Sequence, residues 1–452
     1  MATFAAAVLA AGNGTRMKSQ TPKVLHHVCG KETVRLVVDA ARAAGVRSVT
    51  AVVPKDSQAI RDALGETVEY AVQPRPLGSG EALLRARQAL GKPDNVLVLY
   101  GDVPLIFSDT LRRLVKRHNE TEACITILTS TLVPPNGLGR IVRSADGGVS
   151  AIVEESVADE ETKAIVETNS GCYCFRASWL WDALEGLAPS SEGEVFLTDL
   201  VAEAYKNRLL VESVQSEDEF ETLGVNNRIQ LAKAEEVLRQ RIRDRWMLGG
   251  VTMQDPSSIY IDEDVELGQD TVILPNTHIM GSSKIGNDCR IGPNSVINDS
   301  VIGDGCSVTS SVVRGSVFED DVDAGPFAHV RDGSHLESGV HIGTSAEVKN
   351  SRLGRDTKSG HFSYIGDARL GSNVNIGAGA VTCNFDGVNK NETIIGNDAF
   401  IGCDTMLVAP IKIGDGAVTG AGSVVTKDVP PNSLVVGVPA REQPASGRND
   451  PK

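Results

Sequence analysis

The sequence predicts two domains of different class, an α/β domain followed by a parallel β-helix. Short apolar runs alternate with amphipathic stretches in the first half of the chain, and a six-residue aliphatic repeat fills the second half. All three tryptophans precede residue 250, so the two halves also differ in composition. With 452 residues, 41% hydrophobic and 23% charged, the chain is long enough for two or three globular domains.

The first half contains four apolar runs of strand length, separated by stretches with helical spacing. The runs are Phe4–Leu9 and residues 49–53, 96–100 and 125–128, and the helical stretches include residues 34–44 and 111–118. This alternation favours βαβ units and a mostly parallel sheet that is covered on both faces. Ligands bind beyond the carboxyl ends of the strands in such sheets, so the residues that follow each strand are candidates for a site.

The first run is followed by a glycine-rich loop that carries two cations. It reads Leu9-Ala10-Ala11-Gly12-Asn13-Gly14-Thr15-Arg16-Met17, and Pro22-Lys23 comes shortly after. Small residues let backbone N–H groups approach a phosphate, and Arg16 and Lys23 add positive charge. The loop is not a dinucleotide fingerprint, because Met17 stands at the third glycine position, and it lacks the GK[ST] of a P-loop. An ordinary strand-to-helix turn is the alternative, but the two cations favour a nucleoside triphosphate or a sugar phosphate.

A carboxylate follows the third run, in Tyr100-Gly101-Asp102-Val103-Pro104. At the end of a buried strand, Asp102 is placed to hold Mg²⁺ between phosphate oxygens, and a turn or helix cap is the alternative. Further candidates lie near the other apolar runs and turns: Gln73, Gly78, Ser79, Gly139, Glu154, Asn169 and Asn226.

A helical stretch and then a repeat make up the rest of the chain. Residues 227–248 have apolar side chains at mixed three- and four-residue spacing and end at two glycines, which predicts a helical connector. Beyond it, a six-residue period predicts a hexapeptide β-helix of roughly nine coils, with a core too narrow for many aromatic side chains. The period begins with Ile261, Leu267, Ile273, Ile279, Ile285, Ile291 and Ile297. Two five-residue steps, Ile297 to Ile302 and Val348 to Leu353, depart from it, and residues 383–393 interrupt it as a loop.

Charge and cysteine content exclude several functional classes. The net charge is −15 and there is no basic block, which argues against a nucleic-acid or anionic-membrane partner. The start Met-Ala-Thr-Phe has no features of a signal peptide, and no apolar run is long enough to cross a bilayer, so we expect a cytoplasmic protein. Eight cysteines are too few for a disulfide framework, and we expect Cys172 and Cys174 to share one face of a strand.

Seven short motifs occur in a characteristic order along the chain. They are Leu-Ala-Ala-Gly-x-Gly-Thr-Arg-Met, Pro-Lys-Val-Leu, Leu-Gly-Ser-Gly, Tyr-Gly-Asp-Val-Pro-Leu, Ile-Val-Glu, Asn-Ser-Gly and Gly-Val-Asn-Asn-Arg. The set resembles the sugar nucleotidyltransferases, and most closely the bacterial bifunctional N-acetylglucosamine-1-phosphate uridyltransferases and glucosamine-1-phosphate N-acetyltransferases. The resemblance implies a Rossmann-like nucleotidyltransferase domain at residues 1–226, a helical linker at 227–250 and a left-handed β-helix acetyltransferase domain at 251–440. We expect residues 441–452 to form a disordered tail.

For the first domain, the resemblance implies uridyl transfer from UTP to N-acetylglucosamine 1-phosphate with release of pyrophosphate. It places Mg²⁺ on Asp102 and Asn226, and it gives Arg16 and Lys23 the neutralisation of the triphosphate. Contacts with UTP or with the sugar nucleotide are implied for Leu9, Ala10, Ala11, Gly12, Lys23, Gln73, Gly78, Ser79, Tyr100, Gly101, Asp102, Gly139, Glu154, Asn169 and Asn226.

For the second domain, the resemblance implies acetyl transfer from acetyl-CoA to glucosamine 1-phosphate. His361 would be the general base and Glu347 its orienting partner. Contacts with the sugar phosphate are implied for Arg331, Lys349, Tyr364 and Asn375, and contacts with acetyl-CoA for Ala378, Asn384, Phe385, Cys403 and Ala421. Phe385 and Cys403 replace a frequent Tyr and Ser of the family, and Gly437 stands where some members place an Arg, for which Arg441 could substitute.

The resemblance also implies a homotrimer, with acetyl-transfer sites between subunits, and a role in the synthesis of peptidoglycan and lipopolysaccharide precursors. Two alternatives stay open from the residues themselves. One is a single-activity nucleotidyltransferase whose β-helix only regulates or oligomerises, and the other is a non-catalytic assembly of the same two domains. Because the cations of the nucleotide loop and the acetyl-transfer set are both present, the sequence favours the bifunctional enzyme.

Overall fold

The structure is a computed structural model that describes residues 2–131, 137–190 and 193–443. The chain divides into two compact units, Met1–Leu238 and Arg239–Lys452. Each unit is described separately below.

The first unit is an α/β unit. Its described strands are β1 (Phe4–Leu9), β2 (His27–Val28), β3 (Lys31–Glu32), β4 (Ser48–Pro54), β5 (Glu69–Gln73), β6 (Asn95–Tyr100), β7 (Ile125–Thr131), β8 (Arg140–Arg143), β9 (Val149–Val153), β10 (Glu167–Arg176) and β11 (Val211–Gln215). Its described helices are α1 (Thr33–Ala43), α2 (Gln58–Leu64), α3 (Ser79–Leu90), α4 (Ser108–Thr121), α5 (Glu160–Lys163), α6 (Ala177–Glu185) and α7 (Asp199–Lys206). The helix α8 (Arg228–Leu248) spans the division between the two units. The four predicted strands and the two predicted helices are confirmed.

The main sheet has the strand order β11-β7-β10-β6-β1-β4-β5, and the hairpin β8–β9 is attached to β10. Neighbouring strands along the main order are parallel except at β10, which runs antiparallel to both β6 and β7. The prediction of a mostly parallel sheet is therefore confirmed, and β10 is the antiparallel strand of this order. This reversal places the amino end of β10 at the edge where β6 and β7 end.

Both faces of the sheet are covered, because the strands are apolar on both sides. On β1, Ala7 belongs to a core with residues of α3 and α6, whereas its neighbour Val8 belongs to a core with residues of α1 and α4. Cys172 and Cys174 of β10 both lie in this second core, which confirms that they share one face of the strand. Alternate residues of one strand thus serve two separate cores, as expected of a sheet between two helical layers.

The second unit is a parallel β-helix with three strand-bearing faces. Strands of the first face are Thr252–Met253, Val272–Ile273, Arg290–Ile291, Ser307–Val308, Asp323–Ala324, His341–Ile342, Lys358–Ser359, Asn375–Ile376, Phe400–Ile401, Val418–Thr419 and Leu434–Val436. Strands of the second face are Tyr260–Ile261, His278–Met280, Val296–Asn298, Val312–Arg314, His329–Arg331, Ala346–Lys349, Ser363–Gly366, Val381–Cys383, Met406–Val408 and Val424–Val425. Strands of the third face are Glu266–Leu267, Lys284–Ile285, Val301–Ile302, Val317–Phe318, His335–Leu336, Arg352–Leu353, Ala368–Leu370, Thr393–Ile395 and Ile411–Ile413.

The six-residue period arises because each coil contributes one buried side chain to each face. The nine strands of the third face give nine complete coils among the described residues, as the sequence predicts. The two five-residue steps both fall at the corner between the second and third faces. There Asp299 and Asn350 take a left-handed backbone, with φ of 46° and 45°, and the steps from Val313 to Phe318 and from Ile365 to Leu370 at the same corner are equally short. The shortened steps therefore leave the inward register unchanged.

Two further segments depart from simple coils. Of the predicted loop 383–393, residues 384–392 leave the coil between the second and third faces, and an isolated bridge joins Phe385 to Lys390 within this loop. At the other end, Arg441–Gln443 pair antiparallel with Leu434–Val436. The expectation of a disordered tail is therefore wrong for residues 441–443, whose backbone groups have a strand to pair with, and residues 444–452 lie outside the described residues.

Candidate active sites

A cavity of about 220 Å³ lies at the carboxyl ends of β1, β5 and β6, where the sequence predicts the first site. Its lining consists of Leu9, Ala10, Ala11, Gly12, Lys23, Val24, Gln73, Pro76, Gly78, Ser79, Ala82, Tyr100, Asp102 and Glu194. Most of the residues predicted to contact the nucleotide therefore line the same cavity. A larger cavity of about 1030 Å³, with Arg87, Asp94 and Trp181 in its lining, contains none of the predicted site residues.

The two glycines of the first loop have different surroundings. A Cβ built on Gly12 would have no heavy atom within 4 Å, so the backbone there is open to a ligand. Gly14 takes a left-handed conformation with φ of 58°, and a Cβ there would lie 2.7 Å from Cβ of Lys23. Gly14 thus lets the loop turn tightly enough to pack against Lys23.

Four polar side chains from three distant parts of the sequence meet beside this cavity, and two of them, Lys23 and Asp102, belong to its lining. The ammonium of Lys23 donates to Asp102 Oδ2 and, over 3.1 Å, to Asn226 Oδ1. Arg16 donates to the same Asn226 oxygen over 2.9 Å. Asp102 is only 8% exposed, so Lys23 is its ionic partner in a site largely shielded from water. The arrangement brings two cations and two oxygen ligands to one point beyond the strand ends.

The backbone fixes Asn226 in this position. The amide of Val225 donates to the Asp102 carbonyl over 2.8 Å, and the amide of Asn226 donates to Gln230 Oε1 over 2.9 Å. The segment before α8 is therefore tied to the end of β6, which explains how residues more than a hundred positions apart converge.

The opposite wall is formed by the loop before α3. Nε2 of Gln73 donates to the Gly78 carbonyl over 3.1 Å and to Glu81 Oε2 over 2.8 Å. Gly78 has φ of 94°, and a Cβ there would lie 2.3 Å from the Val195 carbonyl oxygen. Only glycine fits this position, so the loop can lie directly against the segment that contains Val195.

The predicted sugar contacts lie around the amino end of β10. The amide of Asn169 donates to the Gly139 carbonyl over 2.8 Å, and its side chain donates to the Tyr173 hydroxyl over 2.7 Å. A Cβ on Gly139 would lie 3.4 Å from Glu154 Oε1, so these three predicted residues are close together. Burial raises the pKa of Glu154, although a hydrogen bond from Thr198 opposes the shift.

The Tyr100 ring and the backbone of Gly101 connect the residues predicted to contact the sugar with the nucleotide cavity. Burial raises the pKa of Tyr100 to about 12, so its hydroxyl stays protonated. A Cβ on Gly171 would lie 2.8 Å from the Tyr100 ring, which places that ring against β10. Gly101 donates to the Leu9 carbonyl over 2.9 Å and connects the ends of β6 and β1.

The second predicted site lies on the second face of the β-helix. Arg331 pairs in register with Lys349, and Glu347 with Tyr364, on three successive coils. Arg331 donates to Glu347 Oε1 over 2.9 Å. Asn375 lies instead on the first face, between Lys358 and Phe400, so the described chain does not bring it to the other three sugar-phosphate residues.

The predicted base and three of the predicted acetyl-CoA contacts form one row along the corner between the first and second faces. The strands that follow this corner pair in the order Tyr364, Val381, Met406 and Val424. The residues three positions earlier are His361, Ala378, Cys403 and Ala421. Backbone bonds from Asp404 to the Ala378 carbonyl (2.7 Å) and from Gly422 to the Cys403 carbonyl (2.8 Å) tie successive corners together. His361 is exposed at the first step of this row.

The loop of residues 383–393 completes the surroundings of this face. Nδ2 of Asn384 lies 3.4 Å from the Tyr364 hydroxyl and also donates to Asp367 Oδ2. Phe385 is 60% exposed on the loop. Lys390 approaches Lys349, and its ammonium lowers the pKa of Lys349.

Three residues near the sites have no counterpart in the sequence prediction. Lys390 could have been suspected, because the loop that carries it interrupts the repeat. Glu194 in the cavity lining and Thr198 beside Glu154 carry no such signal, because they sit in an irregular segment that becomes part of the site only through tertiary contacts.

Two further features are absent from the described residues. Across residues 2–131, 137–190 and 193–443 there is no group of three or more His, Cys, Asp or Glu side chains arranged to hold a metal ion. None of the described helices combines the length and the apolar composition needed to cross a membrane.

An α/β unit with a phosphate-accessible loop, followed by a hexapeptide β-helix, defines a two-domain transferase. Comparison with known proteins agrees: residues 6–194 match the MobA-like NTP transferase domain, and residues 264–299 and 392–427 match the bacterial transferase hexapeptide (six repeats). The chain is 47% identical over 437 residues to the bifunctional protein GlmU of Caldanaerobacter subterraneus subsp. tengcongensis, covering 96% of this chain and 95% of that protein. It is 45% identical to the bifunctional protein GlmU of a Geobacillus species and 44% identical to that of Halalkalibacterium halodurans, each over 433 residues and at least 94% of either chain.

The chain belongs to the GlmU family of bifunctional proteins. It is therefore an enzyme with uridyltransferase and acetyltransferase activities, and the predicted fold class and bifunctional assignment are confirmed.

Proposed function

We propose that the cavity at the ends of β1, β5 and β6 is the uridyl-transfer site, and that the corner row of the β-helix is the acetyl-transfer site. The observation that carries the first assignment is the convergence of Arg16, Lys23, Asp102 and Asn226. The row that begins at His361 supports the second. Glucosamine 1-phosphate is acetylated first, and the N-acetylglucosamine 1-phosphate that forms is then uridylated.

In uridyl transfer, an oxygen of the sugar phosphate attacks the α-phosphorus of UTP, and the bond to the β-phosphate oxygen breaks to release pyrophosphate. A phosphate monoester is largely dianionic at neutral pH, so no side-chain base is needed. The protein contributes position and positive charge. Lys23 and Arg16 supply that charge at the cavity.

Mg²⁺ is proposed on Asp102 and Asn226. Both side chains present an oxygen to one cation, the Lys23 ammonium, so their oxygens already converge on a positive group. Carboxylate and amide oxygens are ligands that suit Mg²⁺, which usually keeps several waters or phosphate oxygens as well. When bound, the ion would neutralise phosphate charge that develops during transfer.

The remaining residues of the first unit are proposed to orient the substrates. Gln73 and the backbone at Gly78 and Ser79 would read uracil, since they line the same cavity as Lys23 and lie on a different loop. Gly139, Glu154 and Asn169 would hold the sugar. The raised pKa of Glu154 is consistent with a carboxyl group that faces uncharged hydroxyls rather than phosphates.

In acetyl transfer, the amine of glucosamine 1-phosphate attacks the thioester carbonyl of acetyl-CoA and passes its proton to His361. The C–S bond then breaks, and His361 returns the proton to the departing sulfur, so coenzyme A leaves as the thiol. An imidazole is suited to accept a proton near neutral pH. Ala378, Cys403 and Ala421 are small, so their side chains would leave room along the corner for the pantetheine chain. Asn384 and Phe385 on the neighbouring loop would complete the acetyl-CoA contacts.

The sugar phosphate is proposed to bind on the second face. Arg331 and Lys349 provide its countercharge, and Tyr364 lies one coil above Glu347. Glu347 Oε1 accepts from Arg331, so an orienting role toward His361 falls to its second oxygen. Asn375 lies on another face, so its proposed contact would have to come from a second copy of the chain.

A homotrimer formed through the β-helix is therefore part of the proposal. Exposed Phe362 (58%) and Phe385 (60%) lie near the His361 row and offer apolar surface for a neighbouring subunit. Sedimentation at three times the chain mass supports this, and a monomer that acetylates at the full rate contradicts it. We also propose a cytoplasmic location, where acetyl-CoA and UTP are supplied.

The two assignments are tested with one set of assays. Pyrophosphate release from UTP and N-acetylglucosamine 1-phosphate reports the first site, and thiol release from acetyl-CoA and glucosamine 1-phosphate reports the second. Chelation of divalent cations should stop the first reaction and leave the second. Unchanged pyrophosphate release in the presence of a chelator would contradict the metal assignment.

A further inference from the structure

Glu194 is a carboxylate in the wall of the nucleotide cavity. It lines the same space as Gln73, Gly78 and Ser79, beyond the motifs that the sequence singles out. Within the described residues, no hydrogen bond or ion pair is recorded for its carboxylate, whereas Asp102 in the same cavity is held by Lys23. Glu194 is half-buried, so a ligand that displaces water from its carboxylate has to supply a hydrogen-bond donor in return.

The backbone around Glu194 is firmly fixed. The amide of Val195 donates to the Leu77 carbonyl over 2.9 Å, and the amide of Gly80 donates back to the Val195 carbonyl over 2.8 Å. The amide of Leu197 donates to Ser79 Oγ over 3.1 Å. Glu194 is therefore held next to the loop that is proposed to read uracil.

These bonds also use the nearby backbone acceptors. The carbonyls of Leu77 and Val195 accept from backbone amides, and the Gly78 carbonyl accepts from Gln73. The Gly78 carbonyl also accepts from the Ala82 amide, so both of its lone pairs are used, whereas the Glu194 carboxylate is open to a donor on the nucleoside. A carboxylate is the stronger kind of acceptor, because its hydrogen bonds are charge-assisted.

Charge decides which part of the nucleotide this carboxylate can face. A triphosphate would be repelled by it, and the proposed countercharge for the phosphates is the pair Lys23 and Arg16, which meet at Asn226 Oδ1. The uncharged donors of uridine are the N3–H of the base and the ribose hydroxyls. Cytosine has a lone pair instead of a proton at N3, so a carboxylate there would accept uracil and repel cytosine.

We propose that Glu194 is a specificity-determining residue that accepts a hydrogen bond from an uncharged donor of the uridine, either N3–H or the 2′-hydroxyl. The inference rests on the proposed binding of UTP in this cavity.

The test compares kcat/KM for UTP, CTP and dUTP in the full-length enzyme and three variants. Glu194→Ala removes the acceptor, and Glu194→Gln keeps the shape and a neutral acceptor. Glu69→Gln is the matched control, because Glu69 is exposed at the far end of β5 from Gln73. The ratio of two kcat/KM values measured on one variant does not depend on the fraction of folded enzyme. A partly misfolded variant therefore still reports its preference among UTP, CTP and dUTP.

Glu194→Ala should lower kcat/KM for UTP about 10- to 100-fold, with Glu194→Gln in between. If the donor is N3–H, the UTP-to-CTP ratio falls by a similar factor and the UTP-to-dUTP ratio is kept. If the donor is the 2′-hydroxyl, the UTP-to-dUTP ratio falls and the UTP-to-CTP ratio is kept. Ratios within about twofold of the wild type in both Glu194 variants would overturn the inference. A wild-type enzyme that releases no pyrophosphate from UTP would instead refute the proposed function.

Discussion

Replacing Asp102 by Asn removes one charge from the uridyl-transfer site and almost no volume. Asp102 accepts from Lys23, and the two side chains are only 12% and 15% exposed. In Asp102→Asn the ammonium of Lys23 loses its anionic partner, and the proposed metal site loses its carboxylate. The backbone bond from Val225 to the Asp102 carbonyl does not involve the side chain, so the position of the strand end is kept.

The expected loss follows from the role of preorganised charge. Removal of one electrostatic group from such a site typically costs about 100- to 1000-fold in rate, or about 3–4 kcal/mol of transition-state stabilisation. Because metal binding and Lys23 placement are both affected, we expect a loss of at least about 100-fold. Acetyl transfer should be unchanged, since Asp102 belongs to the other unit.

The assay is pyrophosphate release from UTP and N-acetylglucosamine 1-phosphate over a range of Mg²⁺ concentrations. Asp109→Asn is the matched control, because the Asp109 side chain is 82% exposed and pairs with Arg112 outside the cavity. Thiol release by the same preparation reports the amount of intact acetyltransferase. Pyrophosphate release by Asp102→Asn within about threefold of the wild type at any Mg²⁺ concentration would refute the assignment.

Three further predictions follow. His361→Ala should slow thiol release by about 100- to 10,000-fold and leave pyrophosphate release unchanged, and an unaltered thiol rate would remove the base role. Gly78→Ala should cost about 2 kcal/mol or more of unfolding free energy in urea, because φ is 94° and the Cβ would meet the Val195 carbonyl at 2.3 Å; a variant as stable as the wild type would contradict that packing. Burial lowers the pKa of His118 to about 4, so the unfolded chain takes up this proton first as pH falls below about 6.5. The stability of the wild type should therefore drop by up to about 3 kcal/mol more than that of His118→Gln between pH 7 and 4, and equal pH dependence in urea titrations would disprove the buried neutral state.

The sequence predicted the β-helix in detail because its period directly reports the packing. Each inward side chain occupies one face of a coil, so the pattern of Ile and Leu fixes the register as well as the fold. The corner residues Asp299 and Asn350 show what the pattern lacks. Their five-residue steps shorten the corner, but the inward side chains stay in register. A strict six-residue pattern does not account for such steps.

In the first unit, the strand positions were predictable and their directions were not. An apolar run has the same composition in a parallel and an antiparallel strand, so nothing local distinguished β10 from its neighbours. This reversal matters for the site, because it brings Asn169 to the edge where Tyr100 ends β6. A fully parallel sheet would have placed the amino end of that strand at the opposite edge.

Some residues of the candidate site could likewise be predicted from the sequence, and others could not. The loop of Gly12 and the carboxylate of Asp102 follow buried strands, and the rule that ligands bind beyond strand ends identified them. Asn226 could be placed beside them only through the family resemblance, because more than 120 residues separate it from Asp102. Glu194 enters the cavity through backbone bonds to residues 77–80, and no motif or spacing reports such contacts.

The central claim is that one chain carries out two reactions in sequence at two separate sites. The most direct measurement incubates the enzyme with glucosamine 1-phosphate, acetyl-CoA, UTP and Mg²⁺ and follows thiol, pyrophosphate and UDP-N-acetylglucosamine together. We expect the three products in equal amounts, thiol release without UTP, and no pyrophosphate without acetyl-CoA. Pyrophosphate release from glucosamine 1-phosphate without thiol release, or no thiol release at all, would contradict the account.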